Sequence, residues 1–155
     1  MGDEYMDERL YRLLRKELRE HVPYDMPKVP YRVKLDFNES PFDLSEAVKC
    51  KMASYFAGSP GLNIYPDNSA AELRDSIARL RGVRREEVVV GVGSDQLIYM
   101  VMNAFVDSGD RVVMPVPTFS IFKDAVLMRS GIPVEICLKK GDGYRYDIYE
   151  FIDAV

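Results

Sequence analysis

The chain has 155 residues, 47% hydrophobic and 30% charged, with a formal net charge of −4. That length and balance suit one modest folded domain and exclude a disordered polypeptide. Acidic and basic residues are interleaved, which leaves no basic stripe for nucleic acid, and no apolar run approaches a membrane span.

Residues 5–21 place Met6, Leu10, Leu13, Leu14 and Leu18 at helical spacing between charged residues, an amphipathic helix with nothing adjacent in sequence to bury against. Pro23, Pro27 and Pro30 then stiffen a connector from Val22 to Tyr31. This arm is expected to pack on another domain or subunit, or to lie on its own domain; both stay open. Val33 to Phe37 alternates as a short strand, and Asn38-Glu39-Ser40-Pro41 makes a turn. A helix is expected over Leu44 to Phe56, and a Gly/Pro loop over Gly58 to Pro66. Ser69-Ala70-Ala71-Glu72 reads as a capping box that opens a helix with Leu73, Ile77 and Leu80 inward and a stop at Gly82.

Val88-Val89-Val90-Gly91-Val92-Gly93-Ser94-Asp95-Gln96 follows: a buried-strand run, a glycine turn and a helix start ahead of Leu97, Ile98, Met100, Val101 and Phe105. The first N–H groups of such a helix lack intrahelical partners, and the helix dipole adds partial positive charge, so the junction attracts a phosphate. A second strand is expected over Arg111 to Met114, ended by Pro115 and Pro117. A helix from about Thr118 to Gly131 and a strand from Val134 to Leu138 come next, and Asp147 with Glu150 opens a last helix. Alternating short strands and helices imply an α/β fold with a parallel sheet and right-handed crossovers. Ligands gather at the carboxyl edge of such a sheet, where Ser94 and Phe119 can line one pocket. Cys50 and Cys137 lie far apart without histidine-rich surroundings, against a disulfide framework or metal site and in keeping with a reducing cytoplasm. The acidic N-terminus does not read as a secretory signal.

Five segments occur in register: Leu35-Asp36-Phe37-Asn38-Glu39-Ser40-Pro41, Tyr65-Pro66-Asp67, Gly91 to Gln96, Gly109-Asp110-Arg111-Val112 and Pro117-Thr118-Phe119-Ser120. Together they resemble the first half of a class I/II pyridoxal-phosphate (PLP) aminotransferase, with the histidinol-phosphate subgroup the most similar. Val22-Pro23-Tyr24 is similar to a proline-tyrosine element near that family's N-terminus. The resemblance implies a helical, Pro-rich arm at residues 1–31. Residues 32–155 would be part of a fold type I large domain with a mainly parallel sheet.

It also implies roles. Ser94, Asp95 and Gln96 match the loop that holds the PLP phosphate, and Phe119 matches the aromatic that stacks on the cofactor ring, more often a tyrosine. Tyr65 matches a tyrosine that crosses a homodimer interface to the partner's PLP phosphate, and Asn38 a residue beside the substrate carboxylate. Simpler readings stand beside these: a helix cap at Ser94, a core ring at Phe119, a surface tyrosine at Tyr65 and turn chemistry at Asn38. Ser40 stands where the family usually has asparagine, Asp43 where it has glycine and Gln96 where it has an acid.

None of the lysines, Lys16, Lys28, Lys34, Lys49, Lys51, Lys123, Lys139 and Lys140, sits in the serine-flanked setting of the family's Schiff-base lysine. No catalytic residue is therefore assigned, and the chain reads as truncated relative to the family. The resemblance implies that the complete protein would exchange amino groups between small-molecule amino-acid and keto-acid substrates, histidinol phosphate and 2-oxoglutarate giving imidazole-acetol phosphate and glutamate, while the 155 residues alone would not. Another class I/II aminotransferase or PLP lyase, a free-standing phosphate-binding α/β module and a non-catalytic interaction fragment remain as alternatives.

Overall fold

The computed structural model describes residues 8–19, 30–58 and 61–155. They divide into two compact units. One comprises the described residues of Met1–Asp25 with Val89–Val155, and the other those of Met26–Val88.

The first unit is built on a parallel pair, β1 (Arg111–Val116) and β2 (Ile132–Cys137), joined through α6 (Ile121–Met128). The register runs from Arg111 opposite Ile132 to Val116 opposite Cys137. β1 continues through Pro115 rather than ending before it, and β2 begins two residues earlier than expected and includes Pro133. A proline is tolerated in a strand where its missing donor falls on an unpaired side. Met114, Ile136, Ala125, Val126 and Val106 form the core of this unit.

α5 (Gly93–Phe105) precedes β1 and packs on α6, and a tight turn at Asp107–Asp110 leads from one to the other. Only Leu97, Ile98, Tyr99 and Met102 of α5 are half-buried, while Met100, Val101 and Phe105 are exposed. The expected apolar face is thus covered along one stripe only. α6 begins at Ile121, three residues later than expected, after a turn in which Phe122 N donates to the Phe119 carbonyl. It closes in a Schellman motif: Gly131 N donates to the Val126 carbonyl and Ser130 N to the Leu127 carbonyl, with Ser130 at φ +56°. α7 (Ile148–Asp153) opens on Asp147, whose carboxylate accepts from Tyr149 N as expected.

The arm joins this same unit. Instead of one helix it forms α1 (Glu8–Leu13) and α2 (Lys16–Arg19), separated at Leu14 and Arg15. α2 packs on α6, and the Arg15 guanidinium donates to the Met128 carbonyl at 2.5 Å, to the Leu127 carbonyl at 3.3 Å and to Ser130 Oγ. α6 carries no basic residue in its last turn, so Arg15 supplies the cation that the helix C-terminus favours. Of the two placements left open by the sequence, the described part of the arm lies on its own chain. Most of the proline connector, with Val22-Pro23-Tyr24, falls outside the described residues.

The second unit holds α3 (Glu46–Gly58) and α4 (Ala71–Arg81), with a 3₁₀ turn at Arg85–Glu87 packed on α4. The capping box is corrected. Ala70 is the N-cap and makes no side-chain bond, while Asp67 accepts from Ala71 N at 2.9 Å, Ser69 N at 2.9 Å and Ser69 Oγ. The serine hydroxyl is spent on Asp67 and the carboxylate, a stronger acceptor, takes the orphan amides. Gly82 ends α4 in the left-handed region as expected. Leu73 and Leu80 are exposed and Ile77 is half-buried; Ala78 is the buried residue of this helix. Arg74 knits the unit by donating to the carbonyls of Val88, Arg85 and Ser69.

Two expected strands are also corrected. Val33–Phe37 is irregular, and Val88–Gly91 has no ladder partner among the described residues, although Val88 is extended at φ −111°, ψ 124°. A strand exists only through its ladder bonds, so apolar alternation alone does not make one.

Candidate active site

The glycine turn ahead of α5 is made by its own backbone. Val92 sits at φ −80°, ψ 80°, and Gly93 N donates to the Gly91 carbonyl at 3.0 Å, an inverse γ-turn. Gly93 follows at φ +76°, where a β-carbon is disfavoured, and starts the helix. Gly91 leaves room for two side chains: an added Cβ would lie 2.8 Å from Gln96 Oε1 and 3.1 Å from Leu97 Cδ2, so both would have to shift.

That crowding reflects a contact not anticipated from the sequence. Gln96 Oε1 accepts from Val92 N at 2.5 Å, folding back over the turn from the first turn of the helix. The signal that could have revealed it is the spacing of four between Val92 and an acceptor-bearing residue. With Val92 N and Gly93 N engaged inside the turn, the amides of Ser94 and Asp95 have no acceptor among the described residues. Ser94 lies inside α5, beyond the N-cap Val92, and its hydroxyl has no hydrogen-bond partner among the described residues. Two free amides, a free hydroxyl and a helix dipole form one donor set at one exposed point.

Phe119 lies in the turn entering α6, 48% exposed, with its ring edge-to-face on Phe122 at 6.5 Å between centroids. It is a half-open aromatic face rather than a core ring. β1 runs into α6 and α5 returns into β1, so the N-termini of both helices belong to the carboxyl side of the strands. Burial pushes the Tyr99 phenol up from the usual tyrosine range, and the negative charges of Asp124 on α6 and of Asp95 push it in the same direction.

Tyr65 and Asn38 belong to the second unit, each in its own setting. Tyr65 is 95% exposed in the loop before Asp67. Asn38 takes φ +53°, a conformation asparagine tolerates better than most residues, within a segment braced by Lys34. The Lys34 ammonium pairs with Glu39 and with Asp36 at 3.3 Å and lies 4.2 Å from the Phe37 ring centroid. Ser40 closes the segment by bonding Phe42 in both directions, and Asp43 pairs with Lys49. Among the described residues no group of histidine, cysteine or acidic side chains could hold a metal ion, and no helix is long and apolar enough to cross a membrane.

This parallel α/β arrangement recurs in solved structures. A histidinol-phosphate aminotransferase from Sinorhizobium meliloti, in complex with pyridoxal-5'-phosphate, superposes with a TM-score of 0.67 at 23% identity, over 77% of this chain and 31% of that one. An aromatic aminotransferase from Pyrococcus horikoshii gives 0.63 at 28% identity, over 76% and 33%. In sequence, histidinol-phosphate aminotransferases from Ruminiclostridium cellulolyticum and Caldanaerobacter subterraneus are 39% and 38% identical, over 90% and 92% of this chain. The chain spans 39% and 40% of the length of those two relatives. Residues 31–155 match the family model "Aminotransferase class I and II", and the chain belongs to that family.

Proposed function

We propose that this chain forms the phosphate-gripping part of a PLP-dependent aminotransferase that acts on histidinol phosphate. The observation that carries the reading is the Gly91–Gln96 turn, which leaves the Ser94 and Asp95 amides and the Ser94 hydroxyl without acceptors at the start of α5. This donor set suits a phosphate monoester: several N–H and O–H donors, partial positive charge and open access. Ser94, Asp95 and Gln96 would hold the phosphate, and Phe119 would offer its face to the pyridine ring. When bound, PLP supplies an electron sink for amino-group exchange.

Tyr65, almost wholly exposed in its own unit, would reach the phosphate of a second copy in a homodimer. Asn38, held in its turn by the Lys34 braces, would face the substrate carboxylate. Residues 1–31 would serve as the arm and 32–155 as part of the large domain, in a cytoplasmic enzyme. Glutamate would give up its amino group and leave as 2-oxoglutarate, and imidazole-acetol phosphate would be aminated to histidinol phosphate.

A complete enzyme carrying these residues should aminate imidazole-acetol phosphate with glutamate, and Ser94→Ala should weaken its hold on PLP by about tenfold, the loss of one charge-assisted bond. Transfer confined to unrelated amino acids would remove the histidinol-phosphate assignment. The 155-residue polypeptide alone should show no amino transfer, because none of its lysines stands in the family's setting.

A further inference from the structure

We propose that Phe122 is the positioning residue for Phe119: from the inward face of α6 it fixes the plane in which the Phe119 ring meets a flat ligand. It thereby gives the site its preference for a phosphate that carries an aromatic ring. The proposal rests on the reading of Phe119 as the stacking partner of the cofactor, and it adds the residue that holds that partner in place.

A phenyl ring has no polar group with which to fix itself, and its last torsion is broad and roughly two-fold. Phe119 is moreover 48% exposed in the turn before α6. Its plane is therefore set by what packs against it. Among the described residues Phe122 does so, with its ring at 87° to that of Phe119 and 6.5 Å between centroids. The quadrupoles of two rings favour this perpendicular arrangement. Whichever ring turns its edge to the other, at least one face of Phe119 stays clear of Phe122, and stacking needs only one.

The anchor is better held than the ring it orients. Phe122, Ala125 and Val126 are spaced i, i+3 and i+4, one face of a helix, and Ala125 and Val126 are both fully buried. Phe122 stands half-buried at the head of that face. Phe119 precedes it by three residues and is drawn back to it by the bond from Phe122 N to the Phe119 carbonyl at 3.3 Å. Phe122 thus carries the rigidity of the core out to a half-open ring. With the plane set beforehand, less ordering is charged against a ligand that stacks. A ligand without a ring gains nothing from this.

The test measures binding of pyridoxine 5'-phosphate, which lacks the reactive aldehyde, and of inorganic phosphate to the 155-residue chain by equilibrium dialysis. Wild type is compared with Phe122→Leu, Phe122→Tyr and Phe119→Leu. Phe122→Leu should bind pyridoxine 5'-phosphate roughly threefold to tenfold more weakly and inorganic phosphate as wild type does. Phe122→Tyr keeps the ring and should match wild type on both ligands. The ring-proton resonances of Phe119 should shift in Phe122→Leu without any ligand, as the neighbouring ring current is lost. The proposal is overturned, and the stacking role of Phe119 left standing, if Phe119→Leu abolishes the preference for pyridoxine 5'-phosphate while Phe122→Leu keeps it, weakens both ligands equally, or is not rescued by Phe122→Tyr. If wild type shows no such preference, or Phe119→Leu retains it, the reading of Phe119 falls and the proposal with it.

Discussion

Ser130 carries a side chain where the backbone favours glycine, at φ +56°, and its hydroxyl is held by Arg15. The strain of a left-handed L-residue, about 1 kcal/mol, is thus coupled to a bond across the unit. In an Arg15→Ala background, Ser130→Gly should stabilise the fold by about 1 kcal/mol; with Arg15 intact the gain should shrink, because the hydroxyl contact is lost. A urea-unfolding double-mutant cycle measures that difference. Two glycines separate space from conformation in the same way. Gly131 is buried, and an added Cβ would meet Val126 Cγ1 at 2.9 Å, Val106 Cγ1 at 3.0 Å and the Val126 carbonyl at 3.2 Å. Gly131→Ala should therefore cost about 1–3 kcal/mol by overpacking. Gly93→Ala meets nothing within 4 Å and has only its φ of +76° to overcome, so about 1 kcal/mol is expected.

Among the elements, α4 shows how a cap can be legible in kind and misread in detail. Asp67 and Ser69 are both capping residue types two positions apart, and periodicity cannot decide which one the chain folds over the helix start. The structure answers with Asp67, and bonds from the amides of Ala71 and then Ser69 hold its carboxyl below the usual aspartate range. The folded state therefore binds that proton more weakly than the unfolded chain. The stabilisation is complete above the ordinary aspartate range and disappears as pH falls through the lowered value. An acid titration followed by circular dichroism should lose helix at a higher pH in Asp67→Ala than in wild type if this cap limits α4.

Apart from the arm, which breaks into two short helices at Leu14 and Arg15, helices were readable to within a few residues, since caps such as Asp147 and stops such as Gly82 act locally. Strands were less so: Val88–Gly91 and Val33–Phe37 carry strand composition, but a ladder needs a neighbour that no single segment specifies. The candidate site was legible through its glycines and Ser94. The Gln96 clamp left only its spacing of four from Val92, which hydrophobic periodicity does not single out.

On the scale of the whole molecule, the buried core is small. Among the described residues, Ala78, Val88, Val106, Met114, Ala125, Val126 and Ile136 are the buried apolar ones, while Leu35, Phe42, Leu80, Val92 and Phe105 stand more than 75% exposed. The isolated 155-residue chain should consequently bind a hydrophobic dye and associate in solution, and light scattering over a dilution series should show a mass that rises with concentration. A concentration-independent monomer with a single cooperative melt would contradict that expectation.

Each unit happens to carry one native thiol, Cys50 on α3 in the second and Cys137 at the end of β2 in the first, both free and exposed. The pair forms a ready-made ruler. Maleimide donor and acceptor dyes on the unaltered polypeptide would report the separation of the two units by energy transfer, and a change in signal on adding pyridoxine 5'-phosphate would follow their rearrangement without a single engineered cysteine.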